Sequence, residues 1–335
     1  MRVVALNPNP AIDLSGQVEN MVLNEKNYVT SERRDPGGNG INAVRMAHRF
    51  GVNVVALGFV GGSTGDEFRR MLLDDGVLGN FTHIRGNTRI NIAVTNKRDH
   101  AQTRLTFRGP VVSKAETARL KKSIQRIQGP GIFILGGSTP PGCSSLLHLE
   151  AAQIVSKKRF GIFVDVPAEF LKILLKSKHP EFLVLKPNLK ELELFLKRKL
   201  NSISQIADAA QTLTKHATLV CVSLGHQGAL IASQSNVWKV TPPKINALGS
   251  VGAGDSLVGT LAALFVKSGI YTPQDLILEM NLCSREKLKL SKRLQKTFRY
   301  AIAAGAASTQ ALGTGLATLS EIRRLEKRVK ITQIK

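Results

Sequence analysis

The chain is poor in the residues that mark several classes of protein. Its 335 residues include three cysteines, an odd and widely spaced set: Cys143, Cys221 and Cys283. Such usage argues against a disulfide framework and favours a reducing compartment, so we expect a cytoplasmic protein. No apolar run reaches the length of about 18 residues that a membrane-spanning helix needs, and the apolar run at the N-terminus is too short for a signal peptide. We therefore expect no membrane partner.

Acidic residues are also scarce. Lysine and arginine number 47 against 24 aspartates and glutamates, which gives a net charge of +23. The chain has no basic stripe interleaved with aromatics and no nucleic-acid motif, so a general surplus of surface charge explains the balance better than a nucleic-acid partner. Residues 281–299 hold seven Lys/Arg and one Glu. They predict an exposed, basic helical insertion outside the core, with a polyanion contact as the alternative.

Two common nucleotide motifs are absent or misplaced. The P-loop pattern G-x-x-x-x-G-K-[ST] does not occur. Gly38, Gly40 and Ala43 spell G-x-G-x-x-A, but residues 31–35 before them are charged and do not read as the buried strand that a dinucleotide fingerprint follows. The sequence therefore predicts neither a P-loop ATPase nor a dinucleotide-binding unit at this point.

The element pattern predicts an α/β protein. Short apolar strands alternate with helical segments along most of the chain, which indicates a mostly parallel sheet covered on both faces. Residues 14–34 and 88–108 instead show polar or strictly alternating patterns that suit a small, separate β-sheet lid. The predicted division is a body of residues 1–13, 35–87 and 109–335 and a lid of residues 14–34 and 88–108.

One stretch, G-S-V-G-A-G-D-S from Gly249, predicts the chemistry. Gly252, Ala253 and Gly254 expose backbone N–H groups at the start of an apolar helix, which makes an anion site. Asp255 follows at once. A carboxylate beside an anion site suits a base that takes a proton from a hydroxyl attacking a phosphoryl group. The alternative is an ordinary acidic first-turn residue after a glycine turn.

Other polar residues follow predicted strands or stand on the hairpin. Asp13, Gly38 and Asn42 can hold the hydroxyls of a polyol. Arg89 and Arg104 stand on the two strands of the hairpin, where they can clamp a second phosphate or simply line a solvated sheet face.

Asn188 and Glu191 follow a strand at a spacing of three residues. They present an amide and a carboxylate to a hydrated Mg²⁺, or they form a capping box at a helix start. The residues alone leave both readings open.

Four motifs in order resemble the PfkB (ribokinase-like) family of sugar kinases: G-G-N-G-I-N-A at 37–43, K-P-N-x-x-E at 186–191, S-L-G-x-x-G at 223–228 and G-A-G-D-S at 252–256. The resemblance runs from Val3 to about Leu319. T-R-I-N at 88–91 and G-S-T-P-P-G at 137–142 resemble the phosphosugar branch, which contains 6-phosphofructokinase, 1-phosphofructokinase and tagatose-6-phosphate kinase. G-G-S-T-G-D at 61–66 tilts the expectation toward fructose 6-phosphate. A kinase of an unphosphorylated sugar or nucleoside is the more distant alternative.

The resemblance assigns further roles. It implies a Rossmann-like three-layer α/β/α body, ATP and Mg²⁺ as partners of the reaction, a monovalent cation such as K⁺, and a homodimer formed through the lid. Asp255 becomes the catalytic base with Gly252, Ala253 and Gly254 as the anion hole, and Asn39 departs from the lysine or glycine of many relatives. The substrate side gains Lys26 and Ser138 beside the residues above. The nucleotide side comprises Lys186, Asn188, Ser223, Gly225 and Gly228, with Glu191 and Asn188 near Mg²⁺ through water.

Overall fold

The computed structural model describes residues 1–99, 101–178, 180–247, 249, 252–281, 289–311 and 315–335. The strands within these ranges are β1 Arg2–Leu6, β2 Ala11–Val18, β3 Ser31–Gly37, β4 Asn53–Val60, β5 Gly79–His83, β6 Arg89–Asn96, β7 Gln102–Leu105, β8 Gly131–Gly136, β9 Phe160–Asp165, β10 Phe182–Leu185, β11 Ala217–Ser223, β12 Ala229–Ala232, β13 Val237–Thr241 and β14 Lys330–Gln333.

The α-helices in the same ranges are α1 Asn39–Arg49, α2 Gly62–Asp74, α3 Lys114–Arg126, α4 Leu147–Ser156, α5 Ala168–Lys176, α6 Leu189–Leu196, α7 Ile203–Thr212, α8 Ala253–Lys267, α9 Pro273–Asn281, α10 Lys292–Ser308 and α11 Leu319–Glu326. Short 3₁₀ turns occupy Leu213–Lys215 and Gly225–Gln227.

The central sheet has ten strands in the order β14-β13-β12-β11-β10-β9-β8-β1-β4-β5. The seven strands from β11 to β5 run parallel, and β12, β13 and β14 extend the sheet in antiparallel fashion. All six residues of both β8 and β9 are buried, as expected for parallel strands covered on two faces. One apolar core contains residues of α1, α8 and α10, and the other contains residues of α3 to α7. The predicted α/β class is confirmed.

A second, small sheet has the order β3-β2-β6-β7. Its strands pair antiparallel except for β2 with β6, which run parallel. We call this four-stranded layer the small sheet. Its strands overlap the two segments from which a lid was predicted, whereas the division of the chain into body and lid stays a prediction. Residues 31–37, which did not read as a buried strand, form β3, which is exposed at residues 31–34 and buried only from Asp35 to Gly37.

The prediction for residues 281–299 is wrong over its described part. Leu290 and Leu294 are completely buried, and α10 already begins at Lys292. Leu290, Leu294 and Phe298 recur every four residues, so they form one apolar stripe while the lysines and arginines between them take the other face. Ser291 caps the helix and donates to Glu279, which ties this start to α9. Residues 282–288 lie outside the described residues.

Sequence reasoning also missed β5, β14, α9 and α11. The two strands lie at opposite edges of the central sheet and are mostly exposed, so they lack the continuous apolar run of the inner strands. Within the described ranges, no helix combines the length and apolar character needed to cross a membrane. Cys143 and Cys221 are free thiols, and Cys283 lies outside the described residues.

Candidate active site

A cleft of about 290 Å³ lies between the carboxyl edge of the central sheet and one face of the small sheet. The central sheet contributes the segments after β1, β8 and β9 and the starts of α1 and α8. The small sheet contributes β2 and β6 and the end of β7. The lining residues are Asn7, Asn9, Asp13, Ser15, Gly38, Asn39, Asn42, Arg89, Asn91, Ile92, Ala93, Arg104, Thr106, Gly137, Ser138, Pro167 and Asp255.

Strand register explains the wall made by the small sheet. Asp13 pairs with Asn91 across β2 and β6, and Arg104 pairs with Ala93 across β6 and β7. Paired residues, and residues two apart along a strand, share one face of a sheet. Arg89 stands two residues before Asn91, so all these side chains belong to the face that lines the cleft.

Asp13 is held by Asn91, whose Nδ2 donates to its Oδ1 at 3.0 Å. Burial raises the pKa of Asp13 above its usual range, and the hydrogen bond from Asn91 opposes that rise. Asp13 thus presents a second carboxylate oxygen, Oδ2, whose position beside Gly37 leaves no room for a Cβ there.

The two arginines enter the cleft with different supports. Arg89 donates from Nη1 to the Phe107 carbonyl at 2.6 Å and from Nη2 to the Asn9 carbonyl at 2.8 Å. Among the described residues, its Nε is buried without a hydrogen-bond partner. The Nε of Arg104 donates to the Gln102 amide oxygen at 2.8 Å. Burial lowers the pKa of both guanidiniums, yet an arginine stays charged at neutral pH, so this end of the cleft favours an anion.

The start of α8 forms the opposite wall. Gly252 is its N-cap, with φ of 75° in the region that favours glycine, and no described side chain caps this end. The first N–H groups of the helix are therefore not engaged by a described side chain and can accept an anion. Gly259 lies so close to α1 that an added Cβ would sit 2.2 Å from the Ala43 carbonyl oxygen. This close approach sets α8 beside α1.

Asp255 stands in the first turn of α8 and faces the cleft. Its Oδ2 accepts a hydrogen bond of 2.8 Å from Nδ2 of Asn42, a buried residue of α1. Burial, reinforced by the negative charge of Asp165, raises the pKa of Asp255 to about 7, while Asn42 and Lys186 oppose the rise. A carboxylate with such a pKa both accepts and releases a proton near neutral pH, as a general base must.

Lys186 follows β10 and forms a buried ion pair with Asp165 at 2.9 Å. Despite burial, the negative charges of Asp165 and Glu191 raise the pKa of Lys186 above its usual range. A Cβ added to Gly254 would lie 3.3 Å from the Lys186 ammonium, so the lysine stands against the glycine start of α8. This places a permanent positive charge beside the free helix N-terminus.

Asn188 and Glu191 form the capping box that was one of their two predicted roles. The Asn188 side chain accepts from the Glu191 N–H at 2.8 Å, and Oε2 of Glu191 accepts from the Asn188 N–H at 2.8 Å. Burial raises the pKa of Glu191, and Lys186 opposes that rise. Over the described part of the chain, no cluster of three or more His, Cys, Asp or Glu side chains is arranged to hold a metal. One carboxylate suits a magnesium ion that keeps most of its waters, whereas the Asn188 oxygen is already engaged in the cap.

The segment from Ser223 to Gly228 lies next to Asn188, because Ser223 donates its N–H to the Pro187 carbonyl at 3.1 Å. Gly225 and Gly228 both have positive φ, of 59° and 87°. A Cβ on Gly228 would collide with the Val240 carbonyl oxygen, whereas nothing lies within 4 Å of one on Gly225. Gly228 is therefore required by packing and Gly225 by its backbone conformation.

The structure brings most of the predicted substrate residues into one cleft. Those that line it are Asp13, Gly38, Asn42, Arg89, Arg104 and Ser138, and they are joined by the predicted base Asp255. The predicted anion-hole residues Gly252, Ala253 and Gly254 are not among the lining residues. Lys26 is the exception: it is exposed in the segment between β2 and β3 and is not a lining residue. The contacts of Lys186, Asn188 and Ser223 described above place the predicted nucleotide residues along the neighbouring carboxyl edge.

Three asparagines of the cleft were not predicted. Asn91 holds Asp13, Asn7 accepts the Gly40 N–H at 3.1 Å, and Asn9 donates to the Arg108 carbonyl at 2.9 Å. A signal for the first existed, since strand alternation puts Asn91 on the face of Arg89. For Asn7 and Asn9 the signal was their place directly after β1, at the carboxyl edge of the sheet.

Comparisons with known proteins agree with this architecture. The family model described as pfkB family carbohydrate kinase matches residues 8–321. ATP-dependent 6-phosphofructokinase isozyme 2 of Escherichia coli (strain K12) is 28% identical, over 97% of this chain and 98% of that protein. 1-Phosphofructokinase of the same strain is 32% identical, over 78% of this chain and 83% of its own. The crystal structure of phosphofructokinase-2 from Escherichia coli in complex with substrates and products superposes with a TM-score of 0.86 at 27% identity, covering 98% of this chain and 99% of the other.

Proposed function

Because the chain belongs to the pfkB family of carbohydrate kinases and is thus a sugar-kinase phosphotransferase, we propose that it transfers the γ-phosphoryl group of ATP to a ketohexose phosphate. Fructose 6-phosphate, giving fructose 1,6-bisphosphate, is the first candidate. Fructose 1-phosphate and tagatose 6-phosphate are the alternatives. The observation that carries the proposal is the cleft itself, in which Asp255, in the first turn of the uncapped helix α8, lies in the same cavity as two arginines of the small sheet.

Asp255 takes the proton in this proposal. Its Oδ2 is held by Asn42, so Oδ1 receives the proton of the attacking sugar hydroxyl. The hydroxyl oxygen forms the new bond to phosphorus as the bond to the ADP leaving group breaks. The N–H groups at the start of α8 and the Lys186 ammonium stabilise the negative charge of the group in transfer.

Arg89 and Arg104 hold the phosphate that the sugar already carries. Both line the cleft on the face of the small sheet, and the buried Nε of Arg89 is a donor for which a phosphate oxygen is a suitable acceptor. Asp13 and Asn42 are placed to bind sugar hydroxyls. Such a division leaves one end of the cleft for the existing phosphate and the other for the reaction.

The family implies Mg²⁺, which when bound neutralises phosphate charge during transfer. Glu191 is the residue that would hold it, through water. Its Oε2 already accepts from the Asn188 N–H, and this bond fixes the carboxylate at the edge of the sheet near Lys186. A monovalent cation such as K⁺ stays a prediction.

A coupled assay of ADP release tests the proposal. The purified protein is compared on fructose 6-phosphate, fructose 1-phosphate, tagatose 6-phosphate and unphosphorylated fructose, with D255N prepared in parallel to reveal contaminating kinases. We expect at least one phosphosugar to be turned over with a kcat/KM well above that of fructose. Preference for fructose or for a nucleoside would overturn the phosphosugar assignment and support the alternative kinase.

We also propose that a second copy of the chain packs on the small sheet. Large apolar side chains are exposed there and in the segment between β2 and β3: Leu23, Tyr28, Val29, Leu105 and Phe107. Thr103 of β7 contacts Met21 of that segment, so the two groups adjoin, and adjoining exposed apolar residues favour a protein partner over water. Lys26 belongs to the same segment and reaches a cleft in this arrangement, either its own or its partner's.

Subunit mixing tests that arrangement. K26A and D255N are each expected to be poorly active. If Lys26 serves the partner's cleft, a mixed dimer of the two variants contains one site with both residues intact, so mixing after mild dissociation restores activity. Light scattering that finds a monomer at assay concentrations would exclude the dimer, and a dimer without restored activity would place Lys26 in its own subunit's cleft.

A further inference from the structure

Arg45 is a charged side chain that the proposed chemistry does not use, although it is almost completely buried in α1. Its Nε donates to Asp75 at 2.5 Å, and its Nη1 donates to the Pro36 carbonyl and to the Asn42 Oδ1, both at 3.1 Å. Its Nη2 lies 3.7 Å from the Asp35 carboxylate. Burying a guanidinium without partners is costly in free energy. Because these partners engage its N–H groups, they fix the position of the Arg45 side chain.

The contact with Asn42 decides which way the Asn42 amide points. A guanidinium has only donors, so the Asn42 atom that faces it must be the carbonyl oxygen. The amide NH₂ group must then face the other way, toward Asp255, to which it donates at 2.8 Å. Without Arg45, nothing in this contact distinguishes the two ends of the amide, and the carbonyl oxygen is free to turn toward the carboxylate.

We propose that Arg45 is a positioning residue for the catalytic base: it locks the Asn42 amide so that its NH₂ group faces Asp255 and favours the ionised form of that carboxylate. The inference rests on the proposed function of Asp255 as the base and adds that Arg45 influences this base through Asn42. Arg45 acts from the next turn of α1, on the same face as Asn42, and by this account contacts neither Asp255 nor the substrate.

The sign of the effect follows from hydrogen bonding. A donor facing Asp255 stabilises the carboxylate, whereas an amide oxygen in its place stabilises the protonated acid. The other charged groups that act on Asp255 are Asp165 of β9, Lys186 after β10, Asp13 of β2 and Arg104 of β7. They lie on other elements and none of them is replaced in the Arg45 variants. Arg45 also lowers the pKa of Asp13 by its charge, so a change in the titration of Asp255 that persists when Asp13 is replaced by Asn reports the turned amide.

The first measurement needs no activity, so it is independent of the proposed function. Asp255 destabilises the fold at every pH above its unfolded-state pKa, because the unfolded chain ionises this carboxyl group more readily than the folded one. The stability gained on D255N substitution should therefore grow with pH from about 4 and level off at the folded-state pKa, near 7. Against an R45M background, we expect the levelling point to move up by about one pH unit or more.

The second measurement is the pH profile of kcat/KM on the preferred sugar. We expect R45M to lose about fivefold at pH 7 and to recover most of that loss by pH 9, as follows from a one-unit rise in the pKa of the base. R45K, which keeps a donor and a charge, should restore much of the parent profile. A loss that is equal at every pH would mean that Arg45 only supports the fold.

A matched control is available in the same cluster. Arg33 makes a bidentate ion pair with Asp35, at 2.7 and 2.9 Å, yet does not contact Asn42. R33M should change stability while leaving both pH readouts at their parent values. If R45M does not fold because Asp75 is left unpaired, R45M/D75N removes that charge and is measured instead. The inference would be overturned if the stability gain on D255N substitution levelled off at the same pH in the parent and in the Arg45 variants. It would also be overturned if R33M moved that pH as far as R45M does.

Discussion

The starts of α6 and α8 lie on the same edge of the central sheet but are built in opposite ways. At α6, Asn188 and Glu191 exchange hydrogen bonds between side chain and backbone, so the helix closes its own N-terminus. At α8, Gly252 has a left-handed conformation and offers no side chain, so the N-terminus stays open to the cleft. A helix start closed by its own residues supplies stability, whereas an open one supplies an anion site.

The same contrast recurs elsewhere. Capping boxes close α3 through Ser113 and Glu116 and α11 through Thr318 and Glu321, and none of these residues lines the cleft. The N-cap of α1 is Gly38, which has φ of 119° and no side chain, and this start lines the cleft, where Asn7 accepts the Gly40 N–H. Helices α2 and α4 also lack a side-chain cap but do not line the cleft, so an uncapped start permits an anion site without by itself marking one.

The sharpest test of the open end is its carboxylate. Replacing Asp255 by Asn should lower kcat by about 10²–10⁴-fold with a smaller effect on KM, because general-base removal acts on the chemical step. Steady-state kinetics on the preferred phosphosugar measure this. If D255N kept kcat within a few-fold of the parent, Asp255 would not be the catalytic base. The uncapped start of α8 would then differ from the capped start of α6 in structure but not in function.

The second prediction concerns the wall opposite α8. R89A and R104A should each lower kcat/KM on a phosphosugar by about 10- to 150-fold, since a charge-assisted hydrogen bond contributes roughly 1.5–3 kcal/mol. Activity on unphosphorylated fructose should hardly change. Because Arg89 also supports the carbonyls of Asn9 and Phe107, R89A should be the less stable of the two. Equal losses on both sugars would show that the arginines only hold the small sheet in place.

The third prediction is the pH dependence of the open end. Since the pKa of Asp255 is raised to about 7, kcat/KM should fall about tenfold per pH unit below that value as the base is protonated. Stability has the opposite dependence, because ionising this group in the folded state is unfavourable. D255N should thus be the more stable form above pH 7, by a few kcal/mol at most, and equal in stability near pH 4 apart from a pH-independent offset. An acidic limb near pH 4 would exclude the raised pKa.

The smallest expected effect is at the closed end. N188A should cost about 1 kcal/mol of stability through loss of the cap. S113A, at the capping box of α3, is the matched control with a similar stability loss. If Asn188 serves the nucleotide as well as the cap, N188A alone should raise KM for ATP. Identical kinetics in N188A and S113A would show that Asn188 only caps α6 and does not bind the nucleotide.

Sequence reasoning selected several residues that the fold brings together. The predicted side chains that line one cleft are those of Asp13, Asn42, Arg89, Arg104, Ser138 and Asp255, while their roles stay predictions. It failed at 281–299, where the number of lysines outweighed the spacing of Leu290, Leu294 and Phe298. The number of charged residues describes the exposed face of a helix. Whether the helix packs on the core depends on the spacing of its apolar residues.

The sequence by itself determined the class of fold, the open start of α8 and the presence of a carboxylate beside it, because these depend on local pattern and on glycine's freedom at positive φ. Only the tertiary structure decided that Asn188 and Glu191 close a cap, that Asn91 holds Asp13, and that Arg45 reaches Asp255 through Asn42. Asn42 and Asp255 are 213 positions apart, and they meet because α1 and α8 pack through Ala43 and Gly259. Hydrogen bonds between side chains depend on such packing, which no local pattern encodes.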